Sequence, residues 1–230
     1  MHFTTTAAAA ILAFASSALS APYNSPRTEQ TPAPALSLTQ QLFLADTAAD
    51  RFKLLPDDKQ FVFDFNQPQN NPGKGGELIA ANRKTFPALV GTGSGLALGR
   101  VGPCGMNTLH VHPRSAELQI VVEGRLITEM TPENGVVEAA DGKTRRGSIH
   151  SQFNPDCEDA VFIASFAAED FGTGQVADST FAFSDDLIAA AFGQSIAGED
   201  IDRVRKAIPA SIALGVDECL KKCNIKKRSL

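Results

Sequence analysis

Apart from His2, the histidines of this chain are His110, His112 and His150. Imidazole is the commonest neutral nitrogen ligand, so three of them with no spares form a candidate metal set. Residues two apart on a strand face the same side, which lets His110 and His112 present two nitrogens to one ion without distorting the backbone. Pro113 and Arg114 then turn the chain, and Glu117 opens the next apolar run, where its carboxylate can return to the same ion. Gly124 provides a tight turn into Arg125 to Met130. Three neutral imidazoles and one carboxylate leave a divalent ion with one net positive charge and, at octahedral geometry, two free positions. That suits Mn(II) or Fe(II), whereas structural zinc prefers a closed tetrahedron. A histidine pair on a strand can also be a coincidence of core or surface, so the surrounding elements carry weight.

Short runs of strand type are Phe61 to Phe65, Leu96 to Val101, Asn107 to His112, Glu117 to Glu123, Arg125 to Met130 and Ala160 to Phe166. Gly, Pro and Asn clusters separate them closely, a pattern that predicts an antiparallel sandwich or barrel with jelly-roll closure. Before them, Ser37 or Thr39 can cap one helix with apolar positions Leu38, Leu42, Ala45, Ala49 and Phe52, ending before Pro56. After Phe183 the signal is helical again: Ser184 as a cap, Gly193 as a stop, then short helices over Glu199 to Ala207 and Ser211 to about Lys222. The stripe Ile201, Val204, Ile208, Ile212 and Leu214 needs a partner surface, either the barrel or a second subunit.

With 230 residues, 43% hydrophobic and 20% charged, the chain supports one domain with a full core and modest extensions. A net charge of -5 spread over both signs gives no basic face and makes nucleic acid a poor partner. Residues 1–20 read as a signal peptide, cut after Ser20 or Ala21, because the apolar stretch Ala7 to Ala15 is too short to span a bilayer. A secreted, extracellular protein with no membrane partner is therefore expected. The Pro-rich stretch 21–36 reads as a flexible leader, 37–183 as the barrel, and 184–230 as a C-terminal helical extension with a basic tail. Cys104, Cys157, Cys219 and Cys223 are an even set suited to an oxidising compartment, so two disulfides are expected. Three pairings are possible. Cys219 and Cys223 are close enough to pair at a frayed helix end, which would leave Cys104 with Cys157. A zinc site at these cysteines lacks a second pair at finger spacing.

His110, His112, Glu117 and Gly124 match the first cupin motif. The segment Pro103 to Gly124, together with Phe86 to Leu89 and Asn154 to Cys157, resembles germins and, more closely, the fungal and slime-mould spherulin-like proteins. The resemblance extends from about Phe61 to Cys223. It implies a mainly β, single cupin jelly-roll barrel with an N-terminal helix and a C-terminal group of short helices. It favours manganese, and it implies oxidation of oxalate with peroxide formation, or superoxide dismutation, on a small carboxylate or oxygen species. Decarboxylation is disfavoured, since the family members that perform it carry two such motifs. Asn107 stands where germins have an asparagine near the metal; it can donate a hydrogen bond to a bound carboxylate, or serve only as a turn residue. Germins assemble through barrel edges and C-terminal helices, which makes a homo-oligomer the expected state. Spherulins, abundant in encystment, supply the competing expectation of a structural or storage protein braced by its ion.

Two departures from the family pattern matter. The second motif ends as expected, with Gly147, His150 and Asn154, but Ala139 to Arg146 replaces its opening, with Arg145 at the proline position. The connection Gly124 to Gly147 is short, as if one strand were removed, and such a loss would carry His150 out of reach of the ion. Cys104 stands where germins have the motif's leading glycine, with Gly105 beside it to serve the turn.

Overall fold

Every second residue from Gly95 to Val101 and from Ala160 to Phe166 is buried, the alternation of strands with one face on a core. The computed structural model describes residues 34–69, 73–133, 136–138, 143–144, 148–209 and 211–226. Its strands begin with β1 (Gly76–Ala81), β2 (Gly95–Val101), β3 (Gly105–Val111), β4 (Glu117–Glu123), β5 (Ile127–Glu133) and β6 (Val136–Glu138). They continue with β7 (Lys143–Thr144), β8 (Ile149–Phe153), β9 (Ala160–Phe166), β10 (Gly174–Gln175) and β11 (Ile212–Leu214). All pair antiparallel, in two sheets ordered β1-β2-β9-β4-β7 and β10-β3-β8-β5-β6, with β11 joined to β3. The architecture is jelly-roll-like and mainly β; among the described residues the two sheets are not joined into one closed hydrogen-bonded ring.

Between the sheets, Ala97, Val101, Phe162, Ala164 and Phe166 of the first sheet pack with Phe171 and with Ile212 of β11. At the first sheet's edge the Gln69 side chain stands in for a strand: it accepts from the Ala80 amide and donates to the Ala80 carbonyl, both at 2.8 Å. The run Phe61 to Phe65 is not a strand. It follows a 3-10 turn at Asp58–Phe61, and Phe63 packs on Phe65 and Phe86 without a pairing partner.

The single N-terminal helix expected over residues 38 to 52 is two helices, α1 (Leu38–Leu44) and α2 (Ala48–Lys53). Ser37 caps the first, as expected, while Thr47 accepts from the Asp50 amide and starts a second helix. Leu42 is buried with Leu55 and Val90. On the C-terminal side stand α3 (Val176–Phe181), α4 (Asp185–Ala191), α5 (Glu199–Ala207) and α6 (Asp217–Lys222). The helix expected from Ser211 is instead β11 followed by α6, because Ile212, Ala213 and Leu214 pair with the edge of β3 that β8 leaves free, at Asn107, Met106 and Gly105. The apolar stripe thus meets its own chain: Ile201 packs with Ile188 and Ala189, Ile212 enters the core between the sheets, and Leu214 packs beside the cysteines.

The disulfides are Cys104–Cys219 and Cys157–Cys223, which corrects the pairing of neighbours. Cys219 and Cys223 sit one turn apart at the end of α6, and that face meets Cys104 and Cys157, which the Cys104 amide brings together by donating to the Asp156 carbonyl at 3.3 Å. Cys104 itself takes the left-handed conformation, φ 57°, that the family's glycine would occupy; Gly105 does not. Gly105 is small for another reason, since a Cβ there would stand 2.1 Å from the Gly75 carbonyl. Gly124 does make the tight turn after β4, at φ 70°. The expected signal peptide, the leader up to residue 33, the tail from 227 and Arg145 lie outside the described residues. Among those described, no helix is long and apolar enough to cross a membrane.

Just after β8, fully buried Asn154 donates to the carbonyls of Val101, Gly102 and Glu158 at 2.9, 3.0 and 2.7 Å and accepts from the Asp156 amide at 3.0 Å. Asn154→Ala removes all four of these bonds in a buried setting, although the Gly102 carbonyl keeps the Gly105 amide at 2.8 Å, so urea denaturation should show a loss of about 2–4 kcal/mol. A loss below about 0.5 kcal/mol, the scale of a surface change, would contradict this role.

Candidate metal centre

β3 carries His110 and, one residue past its end, His112; β8 carries His150 directly opposite His110; and β4 begins with Glu117. The histidines thus come from one sheet and the carboxylate from the other. All four side chains are buried, and their ligand atoms lie within 4.8 Å of one another. The short connection does not carry His150 away: its Nε2 is 2.9 Å from Glu117 Oε2, and His112 Nε2 is 3.1 Å from the same oxygen.

The other nitrogen of each ring faces a backbone carbonyl: His110 Nδ1 faces Thr108 at 2.6 Å, His112 Nδ1 faces Gly172 at 2.7 Å and His150 Nδ1 faces Ser148 at 3.0 Å. A carbonyl oxygen only accepts, so each Nδ1 carries the proton and each Nε2 is directed inward as a lone pair. Two such lone pairs against one carboxylate oxygen repel unless a positive charge lies among them, either second ring protons or a metal ion. The donor set, tautomer-fixing carbonyls included, fits a divalent cation.

Burial lowers the His110 pKa to about 4, with the charge of His150 adding to the effect and the bond to Thr108 opposing it. Burial alone would raise Glu117, but with second protons on the His112 and His150 rings their hydrogen bonds outweigh it and hold the carboxyl at about 2.

Asn107 also points inward, although it is three residues before His110, an odd spacing that a regular strand would send to the opposite face. A bulge in the β3–β8 register between Asn107 and His110 absorbs the extra residue. Asn107 Nδ2 lies 3.5 Å from His110 Nε2 and donates to Gln152 Oε1 at 2.8 Å; Gln152 Nε2 in turn donates to Gln119 Oε1 at 3.0 Å. Neither glutamine was singled out from sequence. The signal was present, since Gln152 is two residues after His150 and Gln119 two after Glu117, each on its partner's face. Asn107 Oδ1 is buried without a protein partner and borders a cavity of about 50 Å³. That cavity is shared with His110, His112 and Glu117 and walled by Leu78, Ala97, Phe162, Phe166 and Phe171. Among the described residues, no Lys or Arg lines it.

The cupin family model matches residues 63–200. Spherulin-1A of Physarum polycephalum is 32% identical over 195 residues, covering 81% of this chain and 78% of that protein. A probable germin-like protein, subfamily 2 member 5, of Arabidopsis thaliana is 29% identical over 153 residues, 64% of this chain and 72% of its own. Among solved structures, a recombinant oxalate oxidase in complex with glycolate superposes with TM-score 0.57 at 21% identity, covering 66% of this chain and 81% of that one. A Bacillus subtilis oxalate decarboxylase gives TM-score 0.55 at 20% identity, over 65% of this chain and 39% of its own. These structures share the fold.

Both shifted groups bind protons in the unfolded chain before the folded one, so stability falls with acid. His110 contributes a loss from about pH 6.5 down to about 4, of roughly 3 kcal/mol, and Glu117 a loss from about pH 4.5 down to about 2. Urea midpoints of the metal-free protein should therefore decline on going from pH 7 to pH 4 and further below. Glu117→Gln should flatten the lower limb; midpoints level from pH 7 to pH 4 would refute the His110 assignment.

Proposed function

Since the chain belongs to the cupin family, related to the spherulins and germin-like proteins, we propose that it is a secreted manganese-binding monocupin acting as an oxidoreductase on a small oxygen species. The observation that carries this reading is the convergence of three carbonyl-anchored imidazoles and one buried carboxylate, their ligand atoms within 4.8 Å of one another, beside a cavity. His110, His112, Glu117 and His150 would hold the ion. When bound, manganese would supply one-electron redox chemistry and open coordination positions toward the cavity. Iron fits the same donors; the family favours manganese.

Charge decides between the two candidate substrates. A divalent ion with one carboxylate carries a net charge of +1. A superoxide monoanion would neutralise it, whereas an oxalate dianion would leave an excess negative charge among phenylalanines, with no Lys or Arg on the wall among the described residues. Size agrees, since about 50 Å³ holds only a few water-sized molecules. The chain's own residues would act by position: the Asn107 amide orients the incoming species, Phe166 and Phe171 restrict water, and the three backbone carbonyls keep each imidazole turned inward. A sealed bracing site, the alternative for a storage protein, needs no cavity at its ligands.

Two disulfides and the kinship with spherulins support an extracellular setting. Association of like chains is part of the proposal, supported by the outward stripe Leu118, Ile120 and Val122 on β4. Metal analysis of the purified protein should find one manganese per chain, and His112→Ala should lose it while the far-ultraviolet spectrum is retained. Superoxide should be consumed well above the rate of free manganese, and oxalate should yield little peroxide. Stoichiometric manganese without either activity would favour the bracing role; absence of bound metal after reconstitution would remove the proposal.

A further inference from the structure

The four cysteines lie at the end of the barrel formed by the start of β3 and the segment after β8, where α6 docks. Their two disulfides differ in access. Cys104–Cys219 is closed off, with its residues 0% and 6% exposed, whereas Cys157 is exposed and Cys223 half-buried. Cys157 borders an open hollow of about 600 Å³, ample for a small molecule. The two bonds are also neighbours. Cys219 Sγ lies 4.0 Å from Cys223 Sγ, and the sulfurs of Cys104, Cys219 and Cys223 are all within 4.8 Å of one another.

We propose that Cys157–Cys223 is an exchange site for a small-molecule thiol, and that attack there is relayed to the buried Cys104–Cys219 bond. The external thiolate forms a bond to Cys157 Sγ, and the Cys157–Cys223 bond breaks with its electron pair leaving on Cys223. Freed from Cys157, the Cys223 sulfur turns about its own Cα–Cβ bond into line with the neighbouring disulfide and attacks Cys219 Sγ. The Cys104–Cys219 bond breaks, and Cys104 leaves as a thiolate that takes a proton from water. One external thiol is consumed and one protein thiol released; two disulfides remain, one mixed with the external thiol and one between Cys219 and Cys223.

The new bond is geometrically accessible. The Cys223 amide donates to the Cys219 carbonyl at 2.9 Å, so the pair occupies successive turns of one helical face. Helix geometry sets their Cα atoms about 6 Å apart, within disulfide range. The exchange changes what the bonds hold. Before it, α6 is tied twice to the sheets; after it, the remaining protein bond lies within α6 and ties it to nothing. A buried structural disulfide thereby becomes responsive to the thiol content of the surroundings through its exposed neighbour.

The test uses the full chain with Cys157→Ser, which leaves Cys223 as the thiol that the first attack would create. After incubation at pH 8, the protein is quenched in acidic denaturant, labelled with N-ethylmaleimide and mapped by mass spectrometry. The expected result is label divided between Cys223 and Cys104, with a Cys219–Cys223 peptide gained as the Cys104–Cys219 peptide is lost. Label on Cys223 alone, or on Cys219, overturns the relay. Should that variant fail to fold, the unaltered protein treated with cysteamine decides. Cysteamine joined to Cys157 with label on Cys104 supports the proposal; cysteamine on Cys157 with label only on Cys223, or no reaction while Cys157–Cys223 persists, refutes it.

Discussion

One carboxylate oxygen, Glu117 Oε2, faces two imidazole nitrogens inside a largely apolar core. Burying that arrangement without a compensating cation is unfavourable, so the core is built around a place for positive charge. Because the glutamate stands on one sheet and the histidines on or beside the other, the same arrangement joins the sheets. The aromatic packing of Phe162 and Phe166 gives the sheets their spacing, and the charged centre gives them a fixed relative position. Hydrophobic burial is non-directional; four ligand atoms converging on one point are not.

Beyond the ligands, a shell of hydrogen bonds fixes the imidazoles and Asn107. Three carbonyls fix the imidazole tautomers, and the amides of Gln119 and Gln152 hold that of Asn107. In a low-dielectric interior such chains of hydrogen bonds restrict each member to one orientation. Asn107 Oδ1, Gln119 Nε2 and Ser148 Oγ are buried without a protein partner; of these residues Asn107 lines the cavity, where an arriving molecule can satisfy it. The ligands are therefore held on their protein side, while an unsatisfied acceptor stands at a residue that lines the cavity, an arrangement suited to a centre that receives a ligand.

At the opposite end the chain closes on itself. β11 adds to the free side of β3, α6 follows it, and two disulfides with the Asn154 network hold this end of the sheets. The elements that bring His110 and Asn107 to the centre are thus anchored at the start of β3, by Cys104, as well as at the ligands. Cys104 can occupy a left-handed backbone position because the disulfide and its backbone bonds hold it there.

Much of the centre was legible in the sequence. Two histidines at a spacing of two must share a strand face, Glu117 begins the next strand, and short apolar runs between Gly, Pro and Asn clusters mark β2, β4 and β9 as strands whatever their partners. Ser37 and Gly124 announce their roles through local chemistry alone. What escaped were features whose cause is remote. β8 buries His150, Ser151 and Gln152, so its inward face is polar and offers no hydrophobic pattern to read. β11 resembles the continuation of a helix until the free edge of β3 is available to it. The cysteine pairing follows from which face of α6 meets the sheets, not from separation along the chain. Residue type and spacing determined what each side chain could do, because those are properties of a few neighbouring bonds. Whether Asn107 faces the ligands, whether His150 reaches them and which sulfurs meet were decided by a bulge, a strand register and a helix docking, and these exist only once distant segments have packed.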